Sequence, residues 1–445
     1  MLGVSVSNSW KRVLIKDLYL GLYDGPHATP KPSSSGPVFL GIKNITEDGR
    51  LDFSQIRNIS EDDFPKWTKR VLPRAGDLVF SYEATLNLYA LIPEGFRGCL
   101  GRRLALIRPD TKIIDPKFLY YCFFGKEWRN TIFKNLISGS TVDRISLINF
   151  PNFEISIPSL PVQRKIASIL SSYDNLIENN TKRIEILEKM AKLIYEEWFV
   201  KFKFPGHENA KMLPSDLGEI PEGWEVKKLR EILSHYIGGG WGNEQKQEKF
   251  TVGSYVIRGT DIPHLKNGVI DNVPYRFHKD SNFKSRKIEP FDIIIEVSGG
   301  SKDQPVGRAV LITEELLQNF IDNVMCASFC KLLRLNSLIS PYYVDQILQL
   351  LYDTREINKY QTQSTGISNF KFEFFIDDLG ILIPSSKVLN EFHNILDPIY
   401  KEICLLGSKN QNLRKTRDLL LPKLISGEID VSDLDIHIRN ELLES

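Results

Sequence analysis

The sequence predicts an α+β protein in which two α/β globular domains are separated by two long antiparallel helices forming a coiled-coil-like spacer. Three observations predict it. An internal repeat runs the length of the chain, with a period far too long for a solenoid. Each copy ends at a proline followed by apolar residues in alternating steps of four and three, the spacing of a coiled-coil seam. Ahead of each proline, short apolar runs alternate with Gly- and Pro-rich loops, as in a domain built on strands. The expected boundaries are 1–157 for the first globular domain, 158–205 for the first helix, 206–383 for the second domain, and 384–445 for the second helix and tail.

Each copy opens on a tryptophan and a short amphipathic stretch, Trp10 to Leu18 and Trp224 to Ile232. A flexible loop follows, Tyr23 to Pro30 in one copy and Ile237 to Asn243 in the other. Val38 to Ile45 and Tyr255 to Ile262 read as apolar strands that finish in polar groups. Leu72 to Ser81 and Ile288 to Ile295 each read as a turn feeding a buried strand. Asp115 to Tyr121 and Ser340 to Val344 are helix starts with proline in the first turn, where its missing N–H costs nothing. The polar stretches starting at Ser138 and Gln363 precede one more apolar strand, and the copies close at Pro158 and Pro384. The offset between copies is 214 at Trp10 and Trp224, 215 at Asp77 and Asp292, and 226 at the closing prolines. The second domain therefore carries a net insertion of about a dozen residues.

The first seam runs Ile166, Leu170, Tyr173, Ile177, Asn180, Ile184, Leu187, Ala191, Ile194, Trp198. The second runs Phe392, Leu396, Ile399, Ile403, Leu406, Asn410, Leu413, Arg417, Leu420, still at offset 226. A helix of some 35 residues spans roughly 50 Å, enough to hold two domains apart. Each seam carries one asparagine, not at equivalent positions. Such a residue either fixes register with a partner or sits on a wet edge of a loose pair, and both readings stand at this point. Pro398 is placed to kink the second helix near its start.

Forty-two per cent of residues are apolar and a quarter charged, ordinary for a globular protein, while the net charge is +1. A nucleic-acid partner would therefore have to be met by a local basic face. The five cysteines, Cys99, Cys122, Cys326, Cys330 and Cys404, are few and odd in number, which points to a reducing cytoplasm. Cys326 and Cys330 lie in an apolar strand without a second ligand pair, so no metal is expected. No apolar run reaches the length of a membrane span.

Catalytic motifs are missing where they would be looked for. The glycines at 238–240 and 242 lack the buried strand and apolar helix that would cradle a dinucleotide. There is no phosphate-binding Gly/Lys loop, no His-Glu-x-x-His, and no tetrapeptide of the amino-methyltransferase kind. No histidine has a Cys or Ser placed as its nucleophile, and no catalytic residue is expected. The loops instead offer base-edge donors and acceptors among Lys and Arg. In the first copy these are Tyr23, Asp24, His27, Lys31, Lys43, Asn44, Tyr82, Arg102, Arg103, Ser140, Thr141 and Arg144. In the second they are Trp241, Asn243, Arg258, Thr260, Asp261, Ser298, Ser301, Lys302, Gln304, Ser364, Thr365, Ser368 and Lys371. Surface solvation or loop capping is the alternative for any single one; as a set on corresponding loops they point to DNA contact.

The segments Ile157 to Leu170, Tyr195 to His207 and Leu420 to Ile429 resemble the specificity subunit of type I restriction–modification enzymes, and the resemblance covers the whole chain. Pro37 to Ile45 and Ile257 to Ile262 resemble the openings of that family's target-recognition domains. Gly41 stands where many relatives carry Arg, as Arg258 does here, so the resemblance carries a base contact from Arg258 but not from Gly41. It implies that each target-recognition domain reads half of a split, asymmetric DNA site and that the helices set the unread spacer. It further implies two modification subunits bringing S-adenosylmethionine and the adenine-methylating site. Restriction subunits with ATP-driven, Mg-dependent translocase and nuclease activity would join them, with no cofactor on this chain. The rival reading is a coiled-coil scaffold whose domains bind proteins.

Overall fold

The computed structural model describes residues 10–138, 142–215, 218–300, 304–364 and 367–436. The chain divides into two compact units, 1–175 with 414–445, and 176–413. Each long helix contributes to both: Leu160–Tyr195, prolonged by a π turn over Glu196–Val200, and Ser386–Ile425. The second helix runs unbroken through Pro398.

In the first unit a four-stranded antiparallel sheet has the order Tyr19–Asp24, Leu104–Pro109, Leu78–Ser81, Tyr89–Leu91. A three-stranded sheet has Ser33–Leu40 at its centre, antiparallel to Arg57–Asn58 and parallel to Gly98–Leu100. Lys11–Leu14 pairs with Glu154–Ile157, closing the domain just before the long helix. The second unit repeats all three sheets in the same order and sense. Its four strands are Leu233–Gly238, Cys330–Leu335, Ile293–Glu296 and Ala309–Leu311. Val252–Ile257 lies antiparallel to Tyr275–His278 and parallel to Val324–Cys326, and Glu225–Lys228 pairs with Gly380–Ile383. Alternating apolar residues bury the inner faces, and fully buried Trp128, Phe118 and Phe150 fill one core as Tyr342, Tyr360 and Phe375 fill the other.

The duplication extends to single side chains. Asp77, 2% exposed, receives both arms of Arg108 at 2.8 and 2.7 Å and the backbone N–H of Arg74 at 2.9 Å. Asp292 receives Arg334 at 2.8 and 2.8 Å and the N–H of Glu289 at 2.7 Å. Burial raises the Asp292 carboxyl above the usual carboxylate range while the guanidinium pulls the other way. Both helix starts carry the expected proline, Pro116 and Pro341. Buried Gln163 anchors the first long helix, donating to Pro158 O at 3.0 Å and accepting the Asp115 N–H at 2.9 Å.

Within the second unit the helix segments run antiparallel, Asn180 meeting Asn410, Arg183 meeting Glu402 and Tyr195 meeting Phe392. Asn180 Nδ2 donates to Asn410 Oδ1 at 2.9 Å, and Asn410 Nδ2 donates to Ile177 O and Thr181 Oγ1 at 3.3 Å each. Asn410 is 2% exposed. The wet-edge reading is excluded: the asparagines sit at different heights along their own helices because antiparallel packing brings those heights together. Gly407 packs so tightly that a Cβ there would lie 1.9 Å from the carbonyl oxygen of Asn267. In the first unit, Asp174 of the first helix binds Arg417 of the second at 2.5 Å and also accepts the Tyr121 hydroxyl at 2.5 Å. In the second unit the helix position matching Asp174 is Tyr400, which donates to Asp345 at 2.6 Å and accepts from Gln346, the counterpart of Tyr121, at 2.7 Å.

Candidate nucleic-acid interface

Backbone approach, which needs glycine, builds the candidate surface in each unit. In the first, Gly25 N–H donates to Leu104 O at 2.9 Å and Gly101 N–H to Leu40 O at 2.7 Å. A Cβ on Gly25 would lie 2.1 Å from Gly101 O, so no side chain fits between these loops. Ile145 N–H donates to Tyr82 O at 2.8 Å, Tyr82 N–H to Arg103 O at 3.2 Å and Ala84 N–H to Asp143 O at 2.9 Å. Five loops thus converge, bearing Asp24 and His27, Lys43, Tyr82, Arg102 with Arg103, and Arg144.

The second unit closes its loops with corresponding bonds. Gly239 N–H donates to Cys330 O at 3.0 Å, Ala327 N–H to Ile257 O at 2.8 Å and Phe370 N–H to Val297 O at 2.9 Å. Gly239 has the carbonyl oxygens of Cys326 and Ala327 within 2.3 Å of where a Cβ would stand. The loops carrying Trp241, Arg258, Ser298 and Ser368 are brought together in this way. The repeat therefore reproduces the loop scaffold while changing nearly every side chain displayed on it.

The predicted residues divide by placement. His27 and Arg103 keep 61% and 35% of their side chains exposed, and Lys31, Lys43, Arg102, Arg144, Thr260 and Lys371 are at the surface or half-buried. Tyr23 is half-buried, and Asp24 accepts His27 Nε2 at 3.0 Å and pairs with Arg70. Asn44, at 6% exposed, spends its side chain on Gly41 N–H and on the carbonyls of Asp52 and Gln55. Asp261, its counterpart, accepts Arg258 N–H at 2.8 Å. Both are loop-closing groups. Tyr82 is buried with its hydroxyl donating to Arg102 O at 3.0 Å, and burial pushes its pKa up to about 12. Arg258 is held by Asp261 at 3.0 and 2.7 Å and by Asn272 O at 2.9 Å, which fixes its guanidinium at the loop mouth. Trp241, 41% exposed, carries the Arg276 guanidinium 4.6 Å above its ring, and Asn243 donates to Gln247 at 3.1 Å. Ser298 donates to Asn369 at 2.9 Å, Ser368 is buried, and Gln304 is itself engaged. Ser364 lies in the strand Gln361–Ser364; Ser140, Thr141, Ser301, Lys302 and Thr365 lie outside the described residues.

Sequence reasoning missed Arg70 and Arg276, which orient Asp24 and Trp241. Arg70 lies 46 positions from Asp24, and no local pattern joins them. Among the described residues no three His, Cys, Asp or Glu side chains are grouped to hold a metal. Burial pushes the Cys326 thiol up to about 12, leaving it a small apolar packing group. Among the described residues no helix is long and apolar enough to cross a membrane.

Comparison with known proteins places this architecture. Residues 34–189 match a family profile described as the type I restriction modification DNA specificity domain. Over 443 residues the chain is 29% identical to the type I restriction enzyme MjaIX specificity subunit of Methanocaldococcus jannaschii, spanning 97% of this chain and 93% of that protein. Along nearly its whole length the chain is similar to type I specificity subunits. The HindI specificity subunit of Haemophilus influenzae is 21% identical over 88% of this chain and 94% of its own length. The crystal structure of a type I S subunit from M. genitalium superposes with a TM-score of 0.55 at 17% identity, covering 94% of this chain and 96% of that one, and supports the specificity-subunit fold.

Proposed function

We propose that this chain is the specificity subunit of a type I restriction–modification complex: it reads a bipartite, asymmetric DNA site, one half with each domain, and directs adenine methylation or restriction performed by partner subunits. The carrying observation is the matched loop convergence: one scaffold built twice, displaying two different sets of polar side chains. Two unlike reading surfaces on one chain suit an asymmetric target, whereas a symmetric target would be served by identical ones. The chain supplies the address and no catalytic group. S-adenosylmethionine, ATP and Mg belong to two modification subunits and to restriction subunits. Ile186, Met190 and Leu193, exposed apolar side chains on the first long helix, support docking of such partners.

The test is a map of adenine methylation in DNA from cells with and without this chain. Expected is one split motif that disappears with the chain; an unchanged pattern overturns the proposal. Arg258→Ala should relax reading of one half-site and leave the other intact, so equal loss at both contradicts independent domains. A protein-binding scaffold would lack the steep fall of DNA affinity with salt that phosphate neutralisation requires.

A further inference from the structure

The second unit contains a cavity of about 400 Å³ between residues 185–195 of the first long helix, the Pro341–Asp353 helix and the Tyr400–Cys404 turn of the second long helix. Much of its wall is aliphatic, from Leu265, Val310, Leu350 and Ile403. A polar cluster forms the rest. Asp345, 4% exposed, accepts the Tyr400 hydroxyl at 2.6 Å and Gln349 Nε2 at 3.3 Å. Gln346 Nε2 donates to Tyr400 at 2.7 Å, and the Lys266 ammonium donates to Gln349 Oε1.

The repeat supplies an internal control. Counting from Pro341 and Pro116, residues Asp345, Gln346 and Gln349 correspond to Tyr120, Tyr121 and Phe124. In the first unit those three are ring side chains: Tyr120 packs on Tyr121 and on Phe124, each at 5.1 Å, and Tyr121 reaches Asp174. The same helix position thus carries three aromatics in one unit and three smaller polar groups beside a cavity in the other. Close-packed interiors hold few voids larger than a water molecule, and a cavity of this size is in the range of small-molecule sites.

Charge selects the occupant. Four carboxylates line the cavity, Glu185, Glu188, Asp345 and Asp353, against three amines, Lys189, Lys192 and Lys266. Lys192 is neutralised by Asp353 at 2.7 Å, and Lys266 is held by Gln349 close to Asp345. Glu188 also faces Lys266, so it is the lining as a whole, four carboxylates against three amines, that leaves an excess of one negative charge beside an aliphatic wall. We propose that this cavity binds a small organic cation, an ammonium carried on a short aliphatic chain, with the head at the acidic rim and the chain against Leu265, Leu350 and Ile403.

Calorimetric titration and thermal unfolding of the full chain test this with n-hexylammonium, spermidine and, as the anionic control, hexanoate. At least one amine should bind with one-to-one stoichiometry and raise Tm, while hexanoate does neither. A preference between the amines tells a monoamine from a polyamine site. Gln349→Phe, which restores a ring as in the first unit, should weaken amine binding at least tenfold. Glu188→Gln, at the exposed rim, should weaken it severalfold without disturbing the fold. Failure of both amines to bind, equal binding of hexanoate, or unchanged amine affinity in Glu188→Gln or in a folded Gln349→Phe variant overturns the proposal.

Discussion

Asp345 shows how a single buried group couples structure to pH. Burial raises its carboxyl above the ordinary value, with Lys266 and the Tyr400 hydroxyl opposing. A carboxyl whose folded pKa exceeds its unfolded one stabilises most below about pH 4, and that contribution is lost as pH rises through the folded value. Asp345→Asn does not titrate, so its Tm relative to the parent should climb between about pH 4 and neutrality; a constant difference would contradict the assignment. Glu296 makes a different case. It is 3% exposed and gripped by Arg308 at 2.8 and 2.7 Å. Removing one partner of a buried pair leaves an uncompensated charge, and Glu296→Ala should cost about 3 kcal/mol in denaturant unfolding. Such contacts were illegible in sequence because their partners lie far apart along the chain or, as with Arg258 and Asp261, because a short spacing does not say whether the side chains meet. Displayed residues such as His27 and loop-closing ones such as Asn44 look alike in sequence, since the same polar types serve both purposes.

At the scale of the element, much was legible. The alternating seam predicted both long helices, and the offsets of Trp10, Asp77 and Pro158 to their counterparts predicted the duplicated sheets. What periodicity could not supply was pairing height, which depends on chain direction. The two asparagines, unmatched in the repeat, meet across the pair because the segments run oppositely. Asn410→Ala strands the Asn180 amide and should cost about 1–3 kcal/mol. Replacing both by Leu should instead raise the melting temperature while loosening register, readable as altered cross-linking between cysteines placed along the helices. Gly407→Ala should cost about 2 kcal/mol, because the new methyl meets a backbone carbonyl that has no rotamer to yield; an unchanged unfolding midpoint would show that the Asn267 turn is free to move.

For the whole molecule, the repeat explains why a chain with almost no net charge suits a DNA-reading role. Both scaffolds are conserved in outline, and only the loop surfaces need carry local charge. It also has a consequence for exchange of parts. Tyr121 donates a hydrogen bond to Asp174 in one unit, whereas in the other Tyr400, at the place of Asp174, donates one to Asp345, a neighbour of Tyr121's counterpart Gln346. Each domain is therefore keyed to its own stretch of helix by the polarity of one hydrogen bond. Tyr400→Asp alone would set two carboxylates face to face and Asp345→Tyr alone two phenols, whereas the double exchange should recover stability lost by either, giving a coupling above about 1 kcal/mol in a mutant cycle. Recombination between the halves would then be tolerated only where the junction carries the matching helix segment along, so this small reversed contact would decide which hybrid chains survive shuffling and which unfold.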